Sequence, residues 1–379
     1  MKVRRWTFTQ VVVPARPDSV NSPEHDHPLH QLAYGGRPAW STQFDAMPKT
    51  IIELETDAGV VGLGETYRGL GREAIDPIAE GLLGVDLERL ALQRLPIPEG
   101  RLYDGFELAI ADAVAKGRGL PLCGLLGGAV RESVRCGYWT GHRSVADAAR
   151  KAREGQEAGF DCIKFKCGLD DPVVEWCAAV RDACGPGFQV ILDPNRRWGT
   201  VARTVRIARQ LERVGNVHCL EDPIARHDLE GFALLRRKLD LPLAVHVSLP
   251  YLEMGQLESD ALSAVRAGSC DLFNFNGGLF GVRRMATVAE AAGLSFWHGS
   301  EVDLGILEAS YVHKAAASPN CTEPSDIFGR LVREHDLLVE PLKFDARGYV
   351  ALPSGPGLGV ALDREAVAHY QTKRWEVGG

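Results

Sequence analysis

Through the middle of the chain, short apolar runs end one after another on a polar residue that can do chemistry. Asp161-Cys-Ile-Lys-Phe-Lys166, Phe188-Gln-Val-Ile-Leu-Asp193, Val217-His-Cys-Leu-Glu221, Leu243-Ala-Val-His246 and Leu294-Ser-Phe-Trp-His298 each read as a buried parallel strand. Between them, residues 144–158, 200–214 and 282–292 carry apolar positions at helical spacing among Ala, Arg, Leu and Glu. With Asp271 included, the polar residues Lys166, Asp193, Glu221, His246, Asp271 and His298 recur every 25 to 28 residues. A (β/α)8 barrel spends about 30 residues on each strand-and-helix unit and collects its reacting groups at the C-terminal ends of successive strands. The repeat therefore predicts an α/β barrel in which these side chains converge.

The flanks break the rhythm. Residues 3–13 and 50–56 read as antiparallel strands around a long polar loop, 14–38, rich in Pro, His, Asp and Gly, and a patternless segment of that length is usually functional. Residues 107–117 read as a helix, and Gly119-Leu-Pro-Leu122 with Leu125-Leu-Gly-Gly128 as a turn into a second short one. Near the end, Tyr349-Val-Ala-Leu-Pro353 and Pro356-Gly-Leu-Gly-Val-Ala-Leu-Asp363 read as strand and turn that return the chain to its first domain. The expected plan is an α+β domain over 1–130, completed by 350–379, and a barrel over 131–349.

Composition narrows the function classes. The 379 residues, 45% hydrophobic and 25% charged, suffice for two domains with a substantial core. A net charge of −7 without a basic stripe argues against nucleic acid, and no apolar run approaches the roughly 20 residues that cross a bilayer. Nine cysteines lie mostly inside apolar segments without metal-binding spacing or a leader, which points to reduced thiols in the cytoplasm.

An ordered set of motifs then resembles the enolase superfamily, in its mandelate racemase and glucarate dehydratase-like acid-sugar dehydratase branch: Gly62-Leu-Gly-Glu65, Gly119-Leu-Pro, Leu125-Leu-Gly-Gly128, Lys164-Phe-Lys166, Asp193-Pro-Asn195, Glu221-Asp-Pro223, Asp271 with His298, and Pro356-Gly-Leu-Gly359. The resemblance spans nearly the whole chain. It implies a modified (β/α)7β TIM-like barrel beneath an α+β capping domain built from both chain ends, abstraction of the proton next to a carboxylate, and a homo-oligomer.

Such chemistry needs positive charge where the enolate forms, supplied in this family by a divalent cation, Mg²⁺ or, with a nitrogen ligand such as His246, Mn²⁺ or another divalent metal. Asp193 and Glu221 match the first two ligand positions. His246 stands in the third, where relatives carry Asp, Glu or Asn. Three readings stay open for it: a metal ligand, a hydrogen-bond partner of bound water or substrate, or the mark of a site that has lost ordinary metal binding.

Lys164 and Lys166 share one face of their strand, and Lys166 is the expected base. His298, oriented by Asp271, is expected as a second base on the opposite face. Asn195, Asp326 (or Glu323 in its place), Arg143 and the loop residues His25, Asp26, His27 and His30 are expected to contact the substrate. The leading expectation is dehydration of a sugar acid such as glucarate or galactarate to a 2-keto-3-deoxy acid. The alternatives are a racemase or epimerase of a hydroxy or amino acid, a less favoured lactonising cycloisomerase, and a catalytically silent carboxylate-binding relative.

Overall fold

The repeat in the middle of the chain is realised as a curled sheet of seven parallel strands. The computed structural model describes residues 1–22, 48–248 and 257–379. Strands β1 (Val3–Val11), β2 (Lys49–Thr56) and β3 (Val61–Glu65) come first, followed by helices α1 (Arg72–Leu82) and α2 (Tyr103–Gly117). After β4 (Ser133–Arg135) the barrel units begin: β5 (Tyr138–Thr140), α3 (Val145–Glu157), β6 (Cys162–Lys166), α4 (Val173–Cys184), β7 (Gln189–Asp193), α5 (Val201–Val214), β8 (Val217–Glu221) and α6 (Leu229–Lys238). They continue with β9 (Leu243–Ser248), α7 (Leu257–Ala267), β10 (Leu272–Asn276), α8 (Leu279–Ala291), β11 (Ser295–His298) and α9 (Gly305–Ala316).

Strands β5 to β11 pair in chain order. An irregular eighth stave closes the cylinder. On one side the Phe296 and Asp326 amides donate to Asn320 O (3.0 Å) and His298 O (2.8 Å); on the other, the Ser325 amide donates to Arg135 O (2.9 Å) and the Gly137 amide to Ser325 O (3.1 Å).

Alternation along these strands divides the side chains. Cys162, Ile191, Cys219, Ala244, Leu272 and Trp297 form one buried cluster inside the barrel. Two residues further along five of those strands stand Lys164, Asp193, Glu221, His246 and Asn274, on the same face by the period of two. An apolar floor thus lies beneath a polar mouth. The intervening residues, among them Phe165, Leu192, Leu220, Val245 and Phe275, belong to the core shared with the surrounding helices.

The N-terminal strands form an antiparallel sheet completed by β13 (Gln371–Gly378), which pairs with β1, whereas β12 (Tyr349–Ala351) pairs with β4. In β3, Gly62 and Gly64 let the strand lie directly on α2, since a Cβ there would overlap the backbone oxygens of Ala109 and Gly105.

The next residue joins the two sheets' domains. The Glu65 carboxylate accepts from the amides of Leu304 (2.9 Å) and Leu307 (3.1 Å), capping α9, while Lys49 lies 2.5 Å from it and also bonds Asp303. All three side chains are buried. Lys49→Met leaves two buried carboxylates without this cation and is expected to cost about 3–5 kcal/mol in urea unfolding. An unchanged midpoint would contradict that reading.

Candidate active site

Lys164 and Lys166 enter the mouth from β6, as their spacing requires. Lys164 lies 2.6 Å from Glu221, 2.7 Å from Asp326 and 3.5 Å from Asp193. Burial alone would lower its pKa, but these three carboxylates raise it well above the usual lysine value, so Lys164 is a fixed positive charge. Lys166 also bonds Asp193, and the Asn195 Oδ1 accepts from it at 3.1 Å. Asn195 in turn donates its backbone and side-chain amides to Asp193 Oδ1 at 3.0 and 2.8 Å, and its left-handed backbone (φ +44°) turns the chain back over the strand end. Lys166, its neighbouring carboxylate and the amide form one connected unit.

The next strands supply a donor set for a cation. Ligand atoms of Glu221, Asp222 and His246, all buried, lie within 4.8 Å of one another. Burial pushes the His246 imidazole down to about 4, so its ring is neutral, with Arg226 Nη2 3.3 Å from its Nδ1. Lys164 first, then His246, holds the Glu221 carboxyl well below its ordinary value against the upward push of burial. Two carboxylates and a neutral imidazole fit a divalent cation. Asp193, expected beside them, lies one strand away across Lys164, whereas Asp222 joins the cluster. Its left-handed backbone (φ +46°) accompanies a carboxylate that accepts from the His246 amide at 3.0 Å and from Arg226. Inside the motif Glu221-Asp-Pro223, the sequence pattern singled out the strand-terminal residue and passed over its neighbour.

The far side of the mouth departs from expectation. The register pairs His298 with Phe275, on the face turned away from the barrel axis. There its ring stacks on Tyr311 of α9 (centroids 4.0 Å apart), and Nδ1 lies 2.6 Å from Gly299 O. It does not stand opposite Lys166 as a second base. The inward position is Gly299, where a Cβ would overlap Asn274 Oδ1.

Asp271 does not orient His298. It precedes β10 at the opposite end of the barrel, roughly 13 Å away by strand rise, where it accepts from Arg236 (2.6 and 2.8 Å) and the Leu243 amide (2.9 Å). Asp271→Asn is accordingly expected to leave kcat within about twofold and to cost roughly 1 kcal/mol of stability; a large loss of turnover would restore its catalytic role. Arg143 is fully buried, its guanidinium engaged by Asp18 (2.7 Å), Asp147 (2.9 Å) and Thr140 (2.6 Å).

Asp326, carried on the eighth stave, is in the mouth, accepting from Lys164 (2.7 Å) and Trp297 Nε1 (3.3 Å). Glu323 instead pairs with His218 (2.7 Å) and Ser295 (2.8 Å), both near the strands' N-terminal ends. His25, with Asp26, His27 and His30, lies outside the described residues. A cavity of about 810 Å³ lined by Tyr103, Asp104, Leu257, Gly278 and Arg284 includes neither lysine and none of the cation donors. No helix among the described residues is long and apolar enough to cross a membrane.

Comparison with known proteins agrees with the architecture. Residues 147–366 match the family model "Enolase C-terminal domain-like". The chain is 31% identical over 378 residues to a probable glucarate dehydratase of Streptomyces coelicolor, covering 86% of this chain and 85% of that protein. It is 29% identical over 351 residues to muconate cycloisomerase 1 of Rhodococcus opacus, covering 86% and 92%. Among solved structures, N-succinyl Arg/Lys racemase from Bacillus cereus superposes over 100% of both chains with a TM-score of 0.80 at 21% identity, a likeness of fold. A barrel of this topology, its polar strand ends and these matches place the chain in the enolase superfamily.

Proposed function

We propose that the protein is a metal-assisted lyase that removes the α-proton of a hydroxylated carboxylic acid with Lys166 and eliminates water to a 2-keto-3-deoxy acid, with a sugar acid as substrate. One observation carries the reading: among the described residues, the inward positions of β10 and β11, across the mouth from Lys166, carry no acid or base. Lys166 stands on β6, while the opposite inward positions are Asn274, Asn276 and Gly299, and among the described residues none of these can take a proton.

A cation held by Glu221 and His246, with Asp193 or Asp222, would supply Lewis-acid stabilisation of the enolate. The chain's own residues do the rest. Lys166 takes the α-proton, breaking the C–H bond; Lys164 places fixed positive charge beside the carboxylate end; Asn195 holds Lys166 in line. The ammonium formed on Lys166 then gives its proton to the β-hydroxyl on the same face, the C–O bond breaks, water leaves, and the enol tautomerises to the keto acid. Racemisation, which needs a second base on the opposite face, is disfavoured by the outward turn of His298.

The specificity for a sugar acid is supported by the glucarate dehydratase relative and by the amides lining the mouth. A cycloisomerase is the second reading, favoured by the muconate cycloisomerase relative and compatible with a one-sided base. Incubation with aldonic and aldaric acids and with cis,cis-muconate, in Mg²⁺ or Mn²⁺, separates them. Keto-acid formation from the hydroxylated acids is expected; lactone formation from muconate alone would replace this proposal with the second reading.

A further inference from the structure

Asn276, the last residue of β10, is fully buried, yet among the described residues neither its Oδ1 nor its Nδ2 has a hydrogen-bond partner. Both ends of the amide lack one, so turning the group over repairs nothing. A buried amide left open at both ends is costly and calls for an explanation. Alternation puts it on the inward face with Leu272 and Asn274, about 7 Å beyond Asn274 toward the mouth. Asn274 is partly committed, its Nδ2 donating to Glu221 Oε1 at 2.8 Å while its Oδ1 has no partner among the described residues.

The backbone just beyond Asn276 is clamped. Gly277 O accepts from Lys314 at 2.6 Å, and the Leu279 amide donates to Glu107 Oε2 at 2.6 Å. The strand end is therefore held in place, with the amide presented on the inward face.

We infer that Asn276 determines specificity by taking a substrate hydroxyl beyond the β-carbon, Oδ1 accepting its proton while Nδ2 donates to the same or a neighbouring hydroxyl oxygen. The match is chemical. A hydroxyl is donor and acceptor at once, as the amide requires, whereas a carboxylate only accepts and an alkene does neither. This inference rests on the proposed reaction of a hydroxylated acid and specifies which residue selects it. A site built to bond a hydroxyl rejects the analogue that lacks it.

The test compares wild type with Asn276→Leu on aldonic and aldaric acids and on analogues lacking one hydroxyl at a time, reading α-proton exchange and thermal midpoint with Mn²⁺ present. For the hydroxylated acid, kcat/KM is expected to fall roughly 10- to 100-fold, and the preference over one deoxy analogue is expected to collapse. The melting midpoint should not fall, because the substitution removes an unsatisfied buried amide. A merely structural asparagine would give a lower midpoint and an unchanged preference, which would overturn the inference; Asn276→Ala reads the same ratio if the leucine variant does not fold. Wild-type silence on every hydroxylated acid would overturn the reaction itself, whereas an active wild type with an unmoved ratio in the variants would overturn the role of Asn276 alone.

Discussion

Lys166→Ala is expected to lower α-proton exchange and turnover by about 10²–10⁴-fold, the usual contribution of a positioned base. The fold should survive, because Asp193 keeps both bonds from Asn195 and Lys164 remains 3.5 Å from it. The loss should appear in kcat, since the proton is in flight only in the transition state, while KM for the carboxylate changes little. Circular dichroism with single-turnover kinetics would separate this from unfolding. If exchange in the variant stays within threefold of wild type, Lys166 is not the base.

The second large effect concerns His246. Its imidazole is neutral and buried beside Glu221, with Nδ1 3.3 Å from Oε1, and its backbone amide is tied to Asp222. As a ligand, its removal in His246→Ala should weaken Mn²⁺ binding by at least tenfold, since loss of even an outer-shell partner of a metal costs about 10–100-fold. His246→Asn retains a donor atom and should keep most of the affinity. Calorimetric titration with Mn²⁺ reads both variants without requiring turnover, and equal affinity in wild type and the alanine variant would assign the imidazole to substrate instead.

What the sequence revealed followed the physics of each signal. Val217–Glu221 matches its predicted strand to the residue, and Cys162–Lys166 and Gln189–Asp193 each start one residue late, because a largely apolar run closed by a polar residue marks a parallel strand buried among helices. β3 went unread because two of its five residues are glycines, required by the close approach to α2 rather than by strand preference. β13 was also missed: Gln-Thr-Lys-Arg-Trp-Glu-Val-Gly is an exposed, charged edge strand without alternation, whose place is set by pairing with β1. Within the site, the lysine pair was legible because i and i+2 share a strand face. Spacing alone could not phase His298 and Asp271. A period near 27 locates each unit, but one residue of phase decides inward from outward, and four residues decide which end of the barrel a carboxylate occupies. The side chains behind that choice, Tyr311 under His298 and Arg236 on Asp271, come from helices that the strand pattern does not encode.

The most direct measurement is proton NMR in deuterium oxide of the enzyme with Mg²⁺ or Mn²⁺ and a panel of hydroxylated carboxylic acids, following the α-proton and the appearance of a deoxy keto acid. A one-sided Lys166 site predicts that at least one acid yields the keto acid, with no inversion at the α-carbon, and that the Lys166→Ala enzyme does neither exchange nor elimination. Inversion at the α-carbon without water loss would reveal a second base, and silence across the panel would remove the hydroxy-acid reaction from this site.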